Sequence, residues 1–248
     1  LATAYPFISS TIVNPLNYIN EQTNQVRENK LLTNAAVIYK PVPELSIKIS
    51  GGIAYTSARN DAYTSTKFIN SSGSASVSTS ENTSLLSENT ISYNKTFNGK
   101  HAVSAIAGFT YQNFMNTSLG GSGVGFFSDV PQTYSLGSAT TPGLPASAYS
   151  ASTLISYLGR LNYSYSNKYL ATVSFRSDGA SVYSNGNKWG YFPSAALAWK
   201  ISNEDFFRDI RFVSDLKLRA GWGFTGSQAI GAYTTLSQLS PGHNVFNN

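Results

Sequence analysis

The 248-residue chain has no cysteine. That absence excludes a disulfide framework and any thiolate metal site. Charge is scarce as well. Asp, Glu, Lys and Arg make up 12% of residues, about half the roughly 25% usual for soluble domains. No run of about 18 apolar residues occurs, so no helix of the transmembrane kind is expected. The net charge is +5, but Lys and Arg are scattered. Without a basic cluster there is no footprint for nucleic acid. No signal peptide is visible, and both ends read as cuts within a longer chain.

What is present is aromatic and polar. The chain holds 16 Tyr and 14 Phe, set among Ser, Thr, Asn and Gly. Aromatic and β-branched residues favour pleated strands, and Gly, Asn and Ser favour turns. The chain therefore reads as all-β.

Apolar and polar residues alternate over unusual lengths. In residues 45–55, Leu45, Ile47, Ile49, Ile53 and Tyr55 share one face, and Ser46, Lys48 and Ser50 the other. A period of two is the strand signature. Eleven residues exceed the usual five or six and match the 9–11 that a tilted membrane-crossing strand needs. Similar patterns occupy residues 103–112, 155–165, 169–176 and 216–225, with weaker ones at 30–40, 85–97 and 191–200. The expectation is about eight antiparallel strands.

Connections alternate in length. Pro41 to Glu44, Asn98-Gly99-Lys100 and Ser166-Asn167-Lys168 are tight. Asn-Gly is a strong hairpin signal, because a type I′ turn needs positive φ at both central residues. Between them lie long polar stretches at 58–80 and 115–151, and a shorter one at 181–188. Short turns on one side and long loops on the other are the habit of an outer-membrane barrel. A short helix is predicted after Asn14-Pro15, with Pro at the first helical position. A second is predicted over residues 202–211, with Ser202 as N-cap and Glu204-Asp205 as charges at its start.

Aromatic residues cluster near predicted strand ends: Tyr39, Tyr55, Tyr111, Tyr163, Tyr165, Tyr169, Trp199, Trp222 and Phe224. Such rings favour the lipid–water boundary. The opposite face carries Lys48, Arg160, Arg176, Lys200, Lys217 and Arg219, which suit a wet lumen and not a dry core. A soluble β-sandwich is the competing architecture. An uncovered apolar face favours the membrane, and a second sheet covering it favours the sandwich. Asp178-Gly179 reads as a turn where a strand leaves the membrane. Pro193 implies a bulge, a strand end or an unpaired position. Gly221 and Gly223 leave room for close approach, by a plug for example.

No catalytic constellation is visible, and the chain is not expected to be an enzyme. His101 and His243 are the only histidines, too few and too isolated for a metal site. His101 reads as a solvated rim residue. The run Gly120-Gly121-Ser122-Gly123-Val124-Gly125 lacks the Lys-Ser/Thr of a phosphate loop and is read as a mobile loop. No cofactor is expected. Loop aromatics Tyr63, Phe68, Phe126, Phe127, Tyr134, Tyr149 and Tyr183 either stack on a ligand or pack against each other.

The second half resembles the barrel of SusC/RagA-family TonB-dependent outer-membrane transporters. The residues that carry the resemblance run in order: Gly159-Arg160, Asn162-Tyr163-Ser164-Tyr165, Lys168-Tyr169-Leu170, Phe175-Arg176, Asp178-Gly179, Trp189-Gly190-Tyr191-Phe192-Pro193-Ser194, Trp199-Lys200-Ile201-Ser202, Ser214-Asp215-Leu216-Lys217-Leu218-Arg219-Ala220 and Thr225-Gly226-Ser227-Gln228. Together they span roughly residues 150–231. Ser227 departs from the family's usual Asn, and Lys200 from its commoner Arg. Asn14-Pro15-Leu16, Asn29-Lys30-Leu31-Leu32 and residues 92–97 match more loosely.

The resemblance implies a barrel of about 22 strands, of which this chain would be about a third: a curved open sheet in the outer membrane. Residues 1–248 would all belong to the barrel domain, with the plug absent. It implies import of an oligosaccharide or a peptide, under a SusD-like lipoprotein lid, driven by the TonB complex acting through the plug region, in contact with outer-membrane lipid. Arg160, Arg176, Lys200, Lys217 and Arg219 would face lumen or plug. Phe126, Phe127, Tyr134, Tyr149 and Tyr183 would be loop contacts for ligand or partner. A small outer-membrane barrel enzyme or anchor, and a soluble carbohydrate-binding β-domain, are the alternatives. The substrate itself is not encoded in these residues.

Overall fold

A computed structural model describes residues 14–207, 212–228 and 230–237. The chain begins with α1 (Pro15–Glu21), capped as expected: the Asn14 side chain accepts a hydrogen bond from the Leu16 N–H at 3.0 Å. Nine strands follow: β1 (Gln22–Val42), β2 (Leu45–Thr64), β3 (Ser74–Phe97), β4 (His101–Val124), β5 (Thr141–Pro142), β6 (Ala146–Tyr165), β7 (Tyr169–Ala180), β8 (Trp189–Lys200) and β9 (Lys217–Gly223). They form one antiparallel sheet ordered β1-β2-β3-β4-β6-β7-β8-β9, with β5 a short addition to β4. β1 and β9 end the order, so the sheet is open and not closed.

Each expected strand is present, but the first ones are far longer than expected. β2 continues to Thr64 and β3 starts at Ser74, so residues 65–73 alone form the connection where 58–80 was expected. β4 absorbs Gly120 to Val124, so the glycine run is strand and not loop. The reason is packing. A Cβ at Gly123 would lie 2.7 Å from the Ala139 Cβ, and one at Gly121 would lie 3.3 Å from Leu136. These glycines let the 125–145 connection lie flat on the strand.

Two tight turns behave as predicted. Asn98 and Gly99 have φ of 48° and 64°, and Ser166 and Asn167 have φ of 48° and 54°, the left-handed pair that a type I′ turn requires. Asp178-Gly179 is a correction. Both residues sit inside β7, opposite Ser156 and Ile155. A Cβ at Gly179 would lie 2.8–2.9 Å from the Trp189 ring, so glycine here seats an indole and does not turn the chain. Pro193 lies opposite Phe175 in an unbroken register. Its carbonyl accepts from the Phe224 N–H just beyond the end of β9, so the missing N–H falls where that ladder stops.

The predicted helix over 202–211 is a second correction. Residues 201–207 form two 3-10 turns, Ile201–Asn203 and Asp205–Phe207, and residues 208–211 lie outside those described. Ser202 caps nothing; its hydroxyl donates to Asp215 at 2.7 Å. Glu204 is recruited elsewhere, as described below.

Contacts divide the chain into two compact units. One comprises Leu1–Thr33, Ile53–Ser84 and Phe114–Ala151, the other Asn34–Gly52, Leu85–Asn113 and Ser152–Asn248. The first has a small core of Tyr63, Ala75, Phe126 and Ala139, with Leu136 against it. Asp129 fastens it, accepting from the Tyr63 hydroxyl at 2.6 Å and from the Thr66 N–H and hydroxyl, each at 2.8 Å. The second unit is sheet with almost nothing buried, and its surface carries the candidate site.

Candidate functional site

In an antiparallel pair, directly opposite residues project from the same face. The registers of β6 to β9 therefore sort every side chain. One face carries rows such as Leu161–Val173–Ala195–Trp222 and Tyr165–Tyr169–Trp199–Leu218. The other carries Asn162–Thr172–Ala196–Gly221 and Arg160–Ser174–Ser194–Gly223. On this second face Thr172 donates to Asn162 at 2.9 Å, and the Ser174 and Ser194 hydroxyls meet at 2.6 Å.

Exposure runs against hydrophobicity. Tyr157, Leu161, Val173, Phe175, Tyr191, Leu197, Leu218 and Trp222 are all exposed, while Asn162, Thr172, Ser174 and Ser194 are half-buried. A protein dissolved in water hides the first set. No second sheet covers the apolar face among the described residues, so the sandwich reading fails. On β2, Ile49 and Ile53 are exposed in the same way.

Aromatic side chains border that apolar face in two rows. At the short-turn end, His101 bonds to the Tyr163 hydroxyl at 2.7 Å and lies 5.0 Å from the Tyr165 ring. Tyr165, Tyr169 and Trp199 continue the row at 6.4 Å per step. His101 is thus at the rim, as expected, but as part of this row. Nearer the other end, Phe109, Tyr157 and Trp189 are spaced 5.3 and 6.0 Å apart, and Phe175 and Tyr191 6.1 Å. Tyr157 to Tyr165 and Tyr191 to Trp199 are each eight residues. At about 3.3 Å per residue that is roughly 26 Å along the strand, or about 20 Å across at a tilt of about 40°, close to the apolar band of about 25 Å in membrane barrels.

The five predicted lumen-facing cations share one face. Arg160 is opposite Ser174, Arg176 opposite Phe192, Arg219 opposite Ala198, and Lys200 opposite Lys217, all on the polar side. They differ in their partners. Arg176 is held by Asp178 at 2.8 Å and by the Ser156 hydroxyl at 3.2 Å. Lys200 donates to the Asn167 side chain at 2.9 Å. The atoms nearest to Gly221 and Gly223 come from β8: a Cβ at Gly223 would lie 2.6 Å from that of Ser194. The close approach there is made by the neighbouring strand.

Glu204 was missed as a centre. Its carboxylate accepts from Lys168 at 2.8 Å, from the Trp199 indole at 3.0 Å and from Tyr169. Lys168 first, then Tyr169 and Trp199, hold its pKa at about 2. It ties the β6–β7 turn to the connection after β8. Trp199-Lys200-Ile201-Ser202-Asn203-Glu204 holds one of these partners, Trp199, in sequence, but only the fold brings Lys168 and Tyr169 to Glu204.

The loop aromatics have separate fates. Phe126 is buried edge-on to Tyr63 at 6.2 Å, and Tyr63 is a strand residue. Phe68 packs on Tyr18 at 5.2 Å. The Tyr183 hydroxyl donates to the Ser227 carbonyl at 3.2 Å. Phe127 is 99% exposed, and Tyr134 is also exposed, as is Tyr149, which is a residue of β6 and not of a loop because the strand starts at Ala146.

An uncovered apolar face between aromatic borders, backed by a polar, cationic face, defines the wall of a transmembrane β-barrel. Known proteins agree. The chain is 31% identical over 97% of its length to TonB-dependent receptor P26 of Formosa agariphila, covering 25% of that protein. It is 60% identical over 79 residues, 32% of the chain and 8% of the relative, to TonB-dependent receptor SusC of Bacteroides thetaiotaomicron. Among solved structures, the RagAB peptide importer in its open-open state aligns over 87% of this chain and 24% of that one, with a TM-score of 0.82 at 23% identity. No family model matches the chain. The chain is SusC/RagA-like, similar over most of its length to a segment of the barrel of outer-membrane TonB-dependent receptors. It spans about a quarter of the length of the receptor P26.

Proposed function

We propose that the parent protein imports a nutrient, an oligosaccharide or a peptide, across the outer membrane using energy delivered through TonB. All 248 residues form part of its barrel domain in this reading. The observation that carries it is the inverted exposure of β6 to β9: lipid is the solvent of one face and an aqueous interior that of the other. The relatives support the transport half, since they are named TonB-dependent receptors, and the RagAB neighbours are described as a peptide transporter and importer.

Arg160, Lys200, Lys217 and Arg219 face the interior and meet solute or an acidic surface of the plug. Arg176 faces the same way, with its charge already matched by Asp178. A SusD-like lipoprotein closes over the long-loop end, where Phe127, Tyr134 and Tyr149 are available to ligand or lid. Phe126, packed against Tyr63, shapes the connection that presents Phe127 and Tyr134. The TonB complex acts through the plug region.

Uptake tests this directly. Cells with the full-length receptor, given a fluorescent oligosaccharide mixture or a fluorescent oligopeptide mixture, should accumulate one of them. Accumulation should stop when a protonophore collapses the proton gradient. Uptake unchanged by the protonophore, or by deletion of the receptor, refutes the reading.

A further inference from the structure

The first unit contains a charge cluster that belongs to neither face of β6 to β9. Arg27 lies on β1, Arg59 and Asp61 on β2, and Thr133 and Tyr134 on the 3-10 turn Gln132–Tyr134. Asp61 is nearly enclosed, with its side chain 5% exposed. Arg59 donates to it from Nε at 3.0 Å to both oxygens and from Nη2 at 2.9 Å, and Thr133 adds a hydroxyl hydrogen bond. Four contacts use the lone-pair sites of a carboxylate. Arg27 comes no closer to Asp61 than 3.8 Å, too far for a hydrogen bond.

Arg27 is bonded instead to neutral groups, the Tyr134 hydroxyl at 3.0 Å and the Gln25 side chain at 3.3 Å, both through Nη2. Two guanidiniums thus share one carboxylate, and one positive charge is left over. Arg27 carries it, with half its side chain exposed. Beside it stands Tyr134, a residue 70% exposed although pinned from two sides. Its hydroxyl takes the Arg27 bond, and the Arg59 guanidinium lies 5.8 Å from the ring centroid. The result is a half-exposed guanidinium with donors to spare, next to an immobilised aromatic face.

We propose that Arg27 and Tyr134 form a carboxylate subsite: the guanidinium pairs with an anionic group of the ligand while the ring stacks on the carbon adjoining it. Guanidinium–carboxylate pairing is the stronger, charge-assisted kind of hydrogen bond. A ring already held in place loses little freedom on binding. Arg59 and Asp61 are positioning residues. The subsite rests on the import reading and narrows it to acidic cargo. The carboxylate can belong to an acidic peptide or to a uronic-acid sugar.

The test uses the full-length receptor in lipid nanodiscs with two pairs of probes: triglutamate against triglutamine amide, and trigalacturonate against trigalactose. The readout is the affinity ratio within each pair, for the wild type and for Arg27→Gln, which keeps polarity and loses charge. The wild type should prefer the acid of one pair, and R27Q should cut that preference about tenfold, the scale of one charge-assisted hydrogen bond. The pair that responds identifies the source of the carboxylate. Added salt should weaken the preference. A wild type with no acid preference in either pair, or a preference that R27Q leaves intact, overturns the subsite. An R27Q protein that melts earlier with its preference intact shows Arg27 to be only a loop fastener, which also overturns it. Protonophore-sensitive uptake by the same cells reports on import separately, so either idea can fail alone.

Discussion

Val173 is the position at which the membrane reading is most exposed to refutation. It projects from the apolar face, 58% exposed, with Leu161 and Ala195 directly opposite on the flanking strands. It lies four residues from Tyr169 and four from Ser177, the residue opposite Tyr157 and Tyr191. At about 3.3 Å per residue that is roughly 13 Å along the strand from each aromatic row, or about 10 Å in depth at a tilt of about 40°. Val173 therefore sits near the bilayer midplane, where an arginine on the lipid face of a barrel costs about 2–4 kcal/mol. Val173→Arg should lower the folding equilibrium roughly 30- to 700-fold. Thr172→Arg is the control. It is one residue away but faces Asn162 and Ala196 on the polar side, where the cost should be near zero. Both variants would be made in the full-length receptor, refolded into phospholipid vesicles and titrated with guanidinium, following tryptophan emission and the heat-dependent shift in gel mobility. Equal costs for the two variants, or a neutral Val173→Arg, would refute the assignment of lipid to that face.

Two further outcomes follow from local geometry. The Glu204 carboxyl is held at about 2 against an ordinary 4.5, so its contribution to stability is complete above about 4.5 and is lost as pH falls towards 2. An acid titration of the gel-mobility shift should show a loss across that window in the wild type, and Glu204→Gln should remove that component; identical acid profiles would count against the Lys168–Glu204 tie. Gly179→Ala places a Cβ within 2.8–2.9 Å of the Trp189 ring. It should cost about 1–3 kcal/mol by overpacking and shift Trp189 emission, whereas an unchanged spectrum would mean that the ring is seated elsewhere.

The strands were legible where the membrane constrains them. Alternation in residues 155–165 and 169–176 marks β6 and β7 because lipid tolerates only apolar side chains on one face. The upper parts of β2, β3 and β4 were not legible. Residues 74–80 and 115–124 are mostly Ser, Thr, Asn and Gly, and no lipid demands alternation there, so they read as loop while pairing as strand. The glycine at 179 resembled a turn because its reason, the Trp189 ring, comes from the next strand. That the five cations share one face was legible because period two alone assigns a face. The Arg27 cluster was not, since Tyr134 lies 107 residues further along the chain. Glu204 resembled a helix-start acid, a local motif that the hydrogen bond from Lys168 overrides.

The second unit has almost no interior of its own. Among the described residues no large side chain is fully enclosed, and the apolar face of β6 to β9 ends in open space. In a soluble domain a core residue is held to its size by its neighbours, since one added methylene strains a close-packed wall. Here the neighbour is fluid hydrocarbon, which yields to any shape. Positions such as Ala195, Leu197 and Ala220 are therefore free to change volume but not polarity. Divergence among these proteins should show drifting side-chain size on the lipid side. The seats beside Gly123 and Gly179, where one residue closes directly on another, should hold their size.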